Sequence, residues 1–288
     1  PGCGSRIAAV APRPPGRRGY GLSSPPVDWI LVTNDDGVEA PSLPALARAI
    51  ARIAPVRVVA PDGERSWVAK AITRYEPVRV KTVERGGVEM HAVSGYPADC
   101  VQLGLHALFD EPPRLVVSGI NAGYNHGWAY IQSSGTVGAA LEAAIGGVDS
   151  LALSTQSRTR SWHEWRAWAL GPDSLPTWER LAGLAAGLAA PMWAAAPQGL
   201  LLNVNLPDDA DEATPRRLTR VADVGYDRLF SRVAEGEYRH DYRGFLNHFT
   251  PPEGSDVQAS LEGCVAITPL RGIHTAPMPE GLRSALGI

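Results

Sequence analysis

Five short runs of almost unbroken aliphatic character, "DWILVT", "VRVVAP", "RLVVSGIN", "SLALST" and "GLLLNVNLP", constrain this chain more than any other feature. A strand with one face in water alternates apolar and polar residues. A run that is apolar at nearly every position must be covered on both faces, as in a parallel sheet between two helix layers. The segments between the runs have the helical repeat that such covering layers need. "APSLPALARAIARIA" sets Leu43, Leu46, Ala47, Ile50 and Ala54 on one stripe, and "ADCVQLGLHALF" does the same with Val101, Leu105 and Leu108. "SSGTVGAALEAAIGG" reads as a capped helix of small residues, and "LPTWERLAGLAAGLAAPMW" as a further helix. This order predicts an α/β fold with a mostly parallel, doubly wound sheet. "PVRVKTVERGGVEMHAV" alternates around Gly86 and Gly87 and predicts an antiparallel hairpin.

The 288 residues suit one domain. We expect residues 1–27, rich in Pro, Gly, Ser and Arg, to be a leader outside the fold, and 28–288 to form a single domain. The formal charge of −3 gives no electrostatic case for a nucleic acid polymer or a membrane surface. No apolar stretch is long enough to span a bilayer. Three scattered cysteines exclude a disulfide framework, and a cytoplasmic setting is expected. The polar stretch from Arg217 to Gly244 reads as an extended hairpin. Trp162, Trp165 and Trp168 recur at helical spacing and are expected to pack on the body or on a neighbouring subunit, with a base-stacking platform as the lesser reading.

In doubly wound sheets, ligands bind beyond the carboxyl ends of the strands. Asp35 and Asp36 end the first aliphatic run, Ser66 lies in the loop after the second, and Asn121 in the turn after "LVVSG". Turns favour Asp, so the pair could be decorative. Adjacent carboxylates repel, however, and each raises the pKa of the other unless a cation is present. Two carboxylates, a hydroxyl and an amide oxygen form a hard set suited to Mg²⁺ or Mn²⁺ rather than zinc. The helix opening at "SSGT", capped by Ser133 or Ser134, offers free amides to an anion, although taken alone plain capping is the favoured reading. No P-loop motif occurs. His126 lies in the glycine-bearing turn and is expected to face solvent.

Taken in order, "ILVTNDDGVEAPSL", "VVAPDGERS", "GYPADCV", "VVSGINAGYNHG", "SSGTVGAALEA", "NVNLP" and "SDVQASLEGCVAITPL" resemble the SurE (survival protein E) family of metal-dependent 5'-nucleotidases. The resemblance runs from about Trp29 to Leu270. It implies one divalent cation per subunit, Mg²⁺ or Mn²⁺, held by Asp35, Asp36, Ser66 and Asn121. It implies phosphate contacts from Ser134, Gly135 and Thr136, with Asn34 and Asn125 lining the pocket. It further implies hydrolysis of nucleoside 5'-monophosphates, with 3'-monophosphates and polyphosphate as further substrates, and a Rossmann-like α/β core whose C-terminal extension is exchanged in a homodimer or homotetramer. Residues 215–245 are the candidate for that exchange. Asp35, Asp36 and Asn34 are the expected catalytic residues, with Asp35 orienting the attacking water. Trp67 and Lys70 depart from the family pattern after the loop serine. A receiver domain would need a further Asp at a later strand end, a haloacid-dehalogenase phosphatase would need D-x-D-x-T, and a non-catalytic nucleotide binder on the same fold stays open.

Overall fold

Every position of the first aliphatic run after Asp28 is buried, and it becomes the centre of the molecule as β1 (Val27–Thr33). The computed structural model describes residues 27–195, 199–226, 228–241 and 250–272; the expected leader otherwise lies outside the described residues. Val27 itself, placed in the expected leader, belongs to the sheet, its N–H donating to Pro112 O at 3.1 Å. After β1 come α1 (Ser42–Ile50), β2 (Val56–Pro61), the hairpin β3 (Val80–Arg85) and β4 (Val88–Val93), and α2 (Pro97–His106). β5 (Pro113–Ala122) leads into the short α3 (Trp128–Ser133), α4 (Gly135–Ile145) and β6 (Asp149–Gln156). Next are α5 (Trp162–Ala169), a single 3-10 turn at Pro172–Ser174, α6 (Leu175–Ala194), β7 (Leu201–Pro207) and β8 (Arg216–Leu218). The outlying hairpin β9 (Phe230–Ala234) and β10 (Glu237–His240), then α7 (Asp256–Leu261) and β11 (Val265–Leu270), complete the described chain.

Among the described residues nine strands form one sheet in the order β3-β4-β2-β1-β5-β6-β7-β11-β8. β4, β2, β1, β5, β6 and β7 run parallel, while β3 and β11 are antiparallel to their neighbours β4 and β7. Alternate side chains of β1 serve opposite layers. Ile30 and Val32 pack with Leu43, Leu46 and Ile50 of α1 and with Leu181 and Ala185 of α6. Trp29 and Leu31 pack with Cys100, Val101 and Leu105 of α2 and Ala139 and Ala143 of α4. The sheet is therefore doubly wound, as the continuous apolar runs require.

The chain leaves β1 toward β2 on one side and later returns to β5 on the other, so the strand order reverses between β1 and β5. Connections diverge there and leave a crevice beyond the strand ends.

Two details differ from the sequence reading. α2 stops at His106, and Phe109, outside the helix, packs edge-on against Trp29 at 5.1 Å between ring centroids. The polar stretch 217–244 is divided: β8 pairs in parallel with β11 on the main sheet, and only β9 and β10 make a separate hairpin. Residues 227 and 242–244 of that stretch lie outside the described residues.

Candidate active site

At the carboxyl end of β1 the chain must turn out of the sheet at once. Gly37 allows this with φ 89, and a Cβ there would stand 2.7 Å from the carbonyl carbon of Gly63. Asn34 is buried and closes the same turn: its Nδ2 donates to Gly37 O at 3.0 Å, and its Oδ1 accepts from Gly37 N–H at 3.1 Å. Both ends of this amide are committed to the loop, so the side chain shapes the crevice from behind.

Asp35 is buried against the first turn of α4. Its Oδ1 accepts from Thr136 Oγ1 at 2.5 Å, and a Cβ on Gly135 would meet Asp35 Cβ at 2.9 Å and Oδ2 at 3.0 Å. Only glycine at 135 leaves room for the carboxylate. Ser134, not Ser133, caps the helix, its Oγ accepting from Val137 N–H at 3.1 Å. The expected phosphate turn and the acidic pair therefore adjoin, and the hydroxyl of Thr136 is spent on Asp35. Burial raises the Asp35 carboxyl from 3.8 to about 6, with the Thr136 hydrogen bond opposing the rise.

Asp36 faces the end of β5. Its Oδ2 accepts from Ala122 N–H at 3.3 Å, which sets it beside Asn121. Burial, and then the charge of Asp35, raise its pKa from 3.8 to about 8. The side-chain Nδ2 of Asn121 donates to Gly123 O at 2.7 Å, and among the described residues no hydrogen bond uses its Oδ1. The loop after β2 closes the third side, with Arg65 N–H donating to Asp35 O at 2.7 Å. Ser66, the next residue, is exposed and donates its hydroxyl to Glu64 at 2.6 Å.

Among the described residues no three Asp, Glu, His or Cys side chains converge as a metal cluster. What the structure brings together is the carboxyl pair, with the Thr136 hydroxyl on Asp35 and the Ala122 N–H, next to Asn121, on Asp36, while the Ser66 hydroxyl is turned to Glu64. The pair is forced toward its protonated form by burial and mutual repulsion, and a divalent cation relieves both. Thr33 Oγ1, Ser118 Oγ, Thr155 Oγ1 and Tyr124 OH, on β1, β5, β6 and the turn after β5, are buried without a hydrogen-bond partner. Buried polar atoms without a protein partner are commonly met by bound water, an ion or a ligand. The residues present therefore fit a hard cation and a polar ligand.

Asn125 is also turned inward. Its Nδ2 donates to Ser154 Oγ at 2.7 Å, while its carbonyl accepts from Asn203 Nδ2 at 2.7 Å and Asn205 Nδ2 at 3.0 Å. The two asparagines of "NVNLP" thus hold the glycine-bearing turn in place. His126 is buried, not solvent-facing, and burial holds its pKa down to about 4. It is neutral at pH 7 and has no imidazolium proton to give.

Several side chains that position the site escaped the sequence reading because their partners are far away in the chain. Glu64 accepts from Ser66 and also pairs with Arg166 of α5, 102 residues away. Burial works against the charge of Glu64, but hydrogen bonds from Ser66 and Arg166 keep its pKa below the ordinary value. Lys70 and Gln102 both bond to the buried Glu142 of α4. That pairing, with Ala69 N–H on Ser133 O at 2.9 Å, ties down a loop in which Trp67 and Ala69 adopt left-handed φ of 59 and 51. Asp256, at the start of α7, accepts from Gly127 N–H at 2.8 Å and from Ala222 N–H at 2.9 Å, joining the C-terminal region to the turn after β5.

The tryptophan stripe divides. Trp165 is fully buried and packs on Trp168 at 5.3 Å and Trp178 at 6.2 Å, as a core role predicts. Trp162 stays at the rim. A separate cavity of about 330 Å³ lies along β3 and β4, lined by Arg79, Lys81 and Arg85 among others, and includes none of the four oxygen donors.

The fold is thus a doubly wound α/β protein with an acidic pair at its switch point, Asp35 set against a helix N-terminus and Asp36 against the end of β5. Comparison with known proteins makes this specific. The family model described as "Survival protein SurE" matches residues 30–228. The chain is 38% identical over 254 residues to a protein of Methanopyrus kandleri named 5'-nucleotidase SurE, covering 84% of this chain and 90% of that one. It is 40% identical over 251 residues to the protein of the same name from Moorella thermoacetica, covering 84% and 89%. The crystal structure of the SurE protein from Aquifex aeolicus superposes with a TM-score of 0.70 at 29% identity, covering 90% of this chain and 99% of that one. The chain belongs to the SurE family.

Proposed function

We propose that this protein is a divalent-metal-dependent 5'-nucleotidase that hydrolyses nucleoside 5'-monophosphates to nucleoside and phosphate. Similarity to curated 5'-nucleotidases over 84% of the chain supports the activity. The observation that carries the mechanism is the Asp35–Asp36 pair, with Asp35 held against the N-terminus of α4, Asp36 against the end of β5, and both pKa values raised.

Asp35, Asp36, Ser66 and Asn121 are the residues that would hold Mg²⁺ or Mn²⁺. When bound, such a cation neutralises charge on the phosphoryl oxygens. Phosphoryl transfer asks mainly for positioning and charge stabilisation, which the fold supplies by rigid means. Thr136 fixes Oδ1 of Asp35, so this carboxylate has one defined face with which to orient an attacking water. The Ser134–Thr136 turn brings the positive end of the α4 dipole toward the phosphate. Asn34 and Asn125 act by holding the two loops that bear these groups.

The same reading takes in 3'-monophosphates and polyphosphate as further substrates. Phe230, Val233 and Tyr238, exposed on β9 and β10, support self-association as a homodimer or homotetramer through residues 215–245. Buried free thiols at Cys100 and Cys264 suit a reducing, cytoplasmic compartment. Among the described residues no helix is long and apolar enough to cross a membrane.

Phosphate release from AMP, GMP, CMP, UMP, 3'-AMP and polyphosphate, with Mg²⁺, Mn²⁺ or EDTA, tests the reading. Turnover of 5'-monophosphates that EDTA abolishes is expected. Binding of AMP without release of phosphate under any metal would replace the enzyme by a nucleotide-binding protein on the same fold.

A further inference from the structure

We propose that Trp162 is the surface on which the nucleoside base stacks, and so a specificity-determining residue of this site. The proposal rests on the nucleotidase reading and adds to it where the part of the substrate remote from phosphate is held.

α5 lies across the rim of the crevice and is fastened to it at both ends. Toward its carboxyl end, Arg166 pairs with Glu64, the residue that accepts from the Ser66 hydroxyl. At its start, the ring edge of Trp162 rests on the turn after β5. A Cβ on Gly123 would stand 3.1 Å from Trp162 Cη2 and 3.2 Å from Cζ3, and the same point lies 3.5 Å from Asn121 Nδ2. The indole therefore borders the amide that ends β5, and Gly123 is what lets it come so close.

Core packing explains the other two tryptophans of the stripe but not this one. Trp165 is fully buried, and Trp168 lies between Trp165 and the Arg160 guanidinium, 4.6 Å from its ring. Trp162 keeps 36% of its surface exposed, and among the described residues no ring packs on it. A large flat apolar surface left open at the edge of a polar crevice suits a flat heterocycle. Every base offers such a face, so stacking selects nucleotides over plain phosphate esters without choosing among bases.

The rival platform is Trp67, beside Ser66 and 40% exposed. Its ring already meets those of His240 at 5.0 Å, Tyr226 at 5.4 Å and Tyr130 at 6.4 Å, which form a wall with the turn and hairpin segments.

The test compares AMP with ribose 5-phosphate, which keeps the sugar and phosphate but lacks the base. With full-length protein and Mn²⁺, Trp162→Ala should lower the ratio of kcat/KM for AMP to that for ribose 5-phosphate about tenfold, chiefly through KM. Trp162→Phe should restore most of the ratio. Calorimetric titration of the same two compounds needs no turnover and should show the same loss, so failure of catalysis altogether would count against the nucleotidase reading and leave this proposal measurable. A ratio unchanged within twofold in Trp162→Ala, by kinetics or by binding, overturns the proposal. So does a tenfold loss in Trp67→Ala with none in Trp162→Ala.

Discussion

Replacing Asp36 with Asn should make the metal-free protein more stable while abolishing its stabilisation by metal. Asp36 sits in the folded state with a pKa of about 8 against an ordinary 3.8. Between about pH 4 and 8 the native protein then binds more protons than the unfolded chain, so stability without metal is full below pH 4 and declines as the pH rises toward 8. At pH 7 the shift corresponds to about 4 kcal/mol, from roughly three pH units at about 1.4 kcal/mol each. Asp36 is partly exposed, so solvent screening reduces the expected gain in Asp36→Asn to about 2 kcal/mol. For a domain of this size that is about 4–8 °C in Tm. Saturating Mn²⁺ should act oppositely on the wild type, adding about 3 kcal/mol at a hundredfold excess over Kd, and should leave Asp36→Asn nearly unmoved. Thermal melts at pH 5, 7 and 8, in EDTA and in Mn²⁺, measure all four states. An Asp36→Asn protein that melts below the wild type in EDTA, or gains as much from Mn²⁺, would refute the account of the buried pair.

Thr136→Val removes the hydroxyl that holds Asp35 Oδ1, and a charge-assisted hydrogen bond is worth about 1.5–3 kcal/mol. Phosphate release should fall about 10- to 100-fold while circular dichroism stays native; full activity would show that Asp35 needs no such restraint. Gly138→Ala would place a Cβ 2.3 Å from the carbonyl oxygen of Ala69, a contact with backbone that cannot swing aside. A loss of about 1–3 kcal/mol in urea unfolding is expected, with lower activity as the Ser66–Lys70 loop is displaced; an unchanged midpoint would refute that packing.

The layers of this fold were legible because burial on both faces leaves a direct mark on sequence. Ile30 to Val32 are apolar at every position since α1 and α6 cover one side and α2 and α4 the other. Gly86 and Gly87 were readable as a hairpin because a tight turn demands their positive φ. The shared placement of Asp35, Asp36 and Asn121 was legible because each follows or closes an aliphatic run, and the structure sets those strand ends beside the reversal of strand order. In each case the constraint acts on neighbours in the chain, and periodicity or placement records it.

Other features came only with tertiary contact. Sequence could not show that Asn34 would be spent on its own turn, that His126 would be buried and neutral, or that Thr136 would be turned on Asp35. It could not separate Trp162 from Trp165, which share a helical stripe but meet different surroundings. Nor could it bring Arg166 to Glu64 across 102 residues, or Asp256 to Gly127 across 129. Hydrogen bonds, ion pairs and pKa shifts depend on distance in space and on the water excluded there, and neither quantity has a period along the chain. The sequence by itself determined the layers and the edge at which chemistry is possible; the packed structure decided which side chains face that edge and which are spent holding it in place.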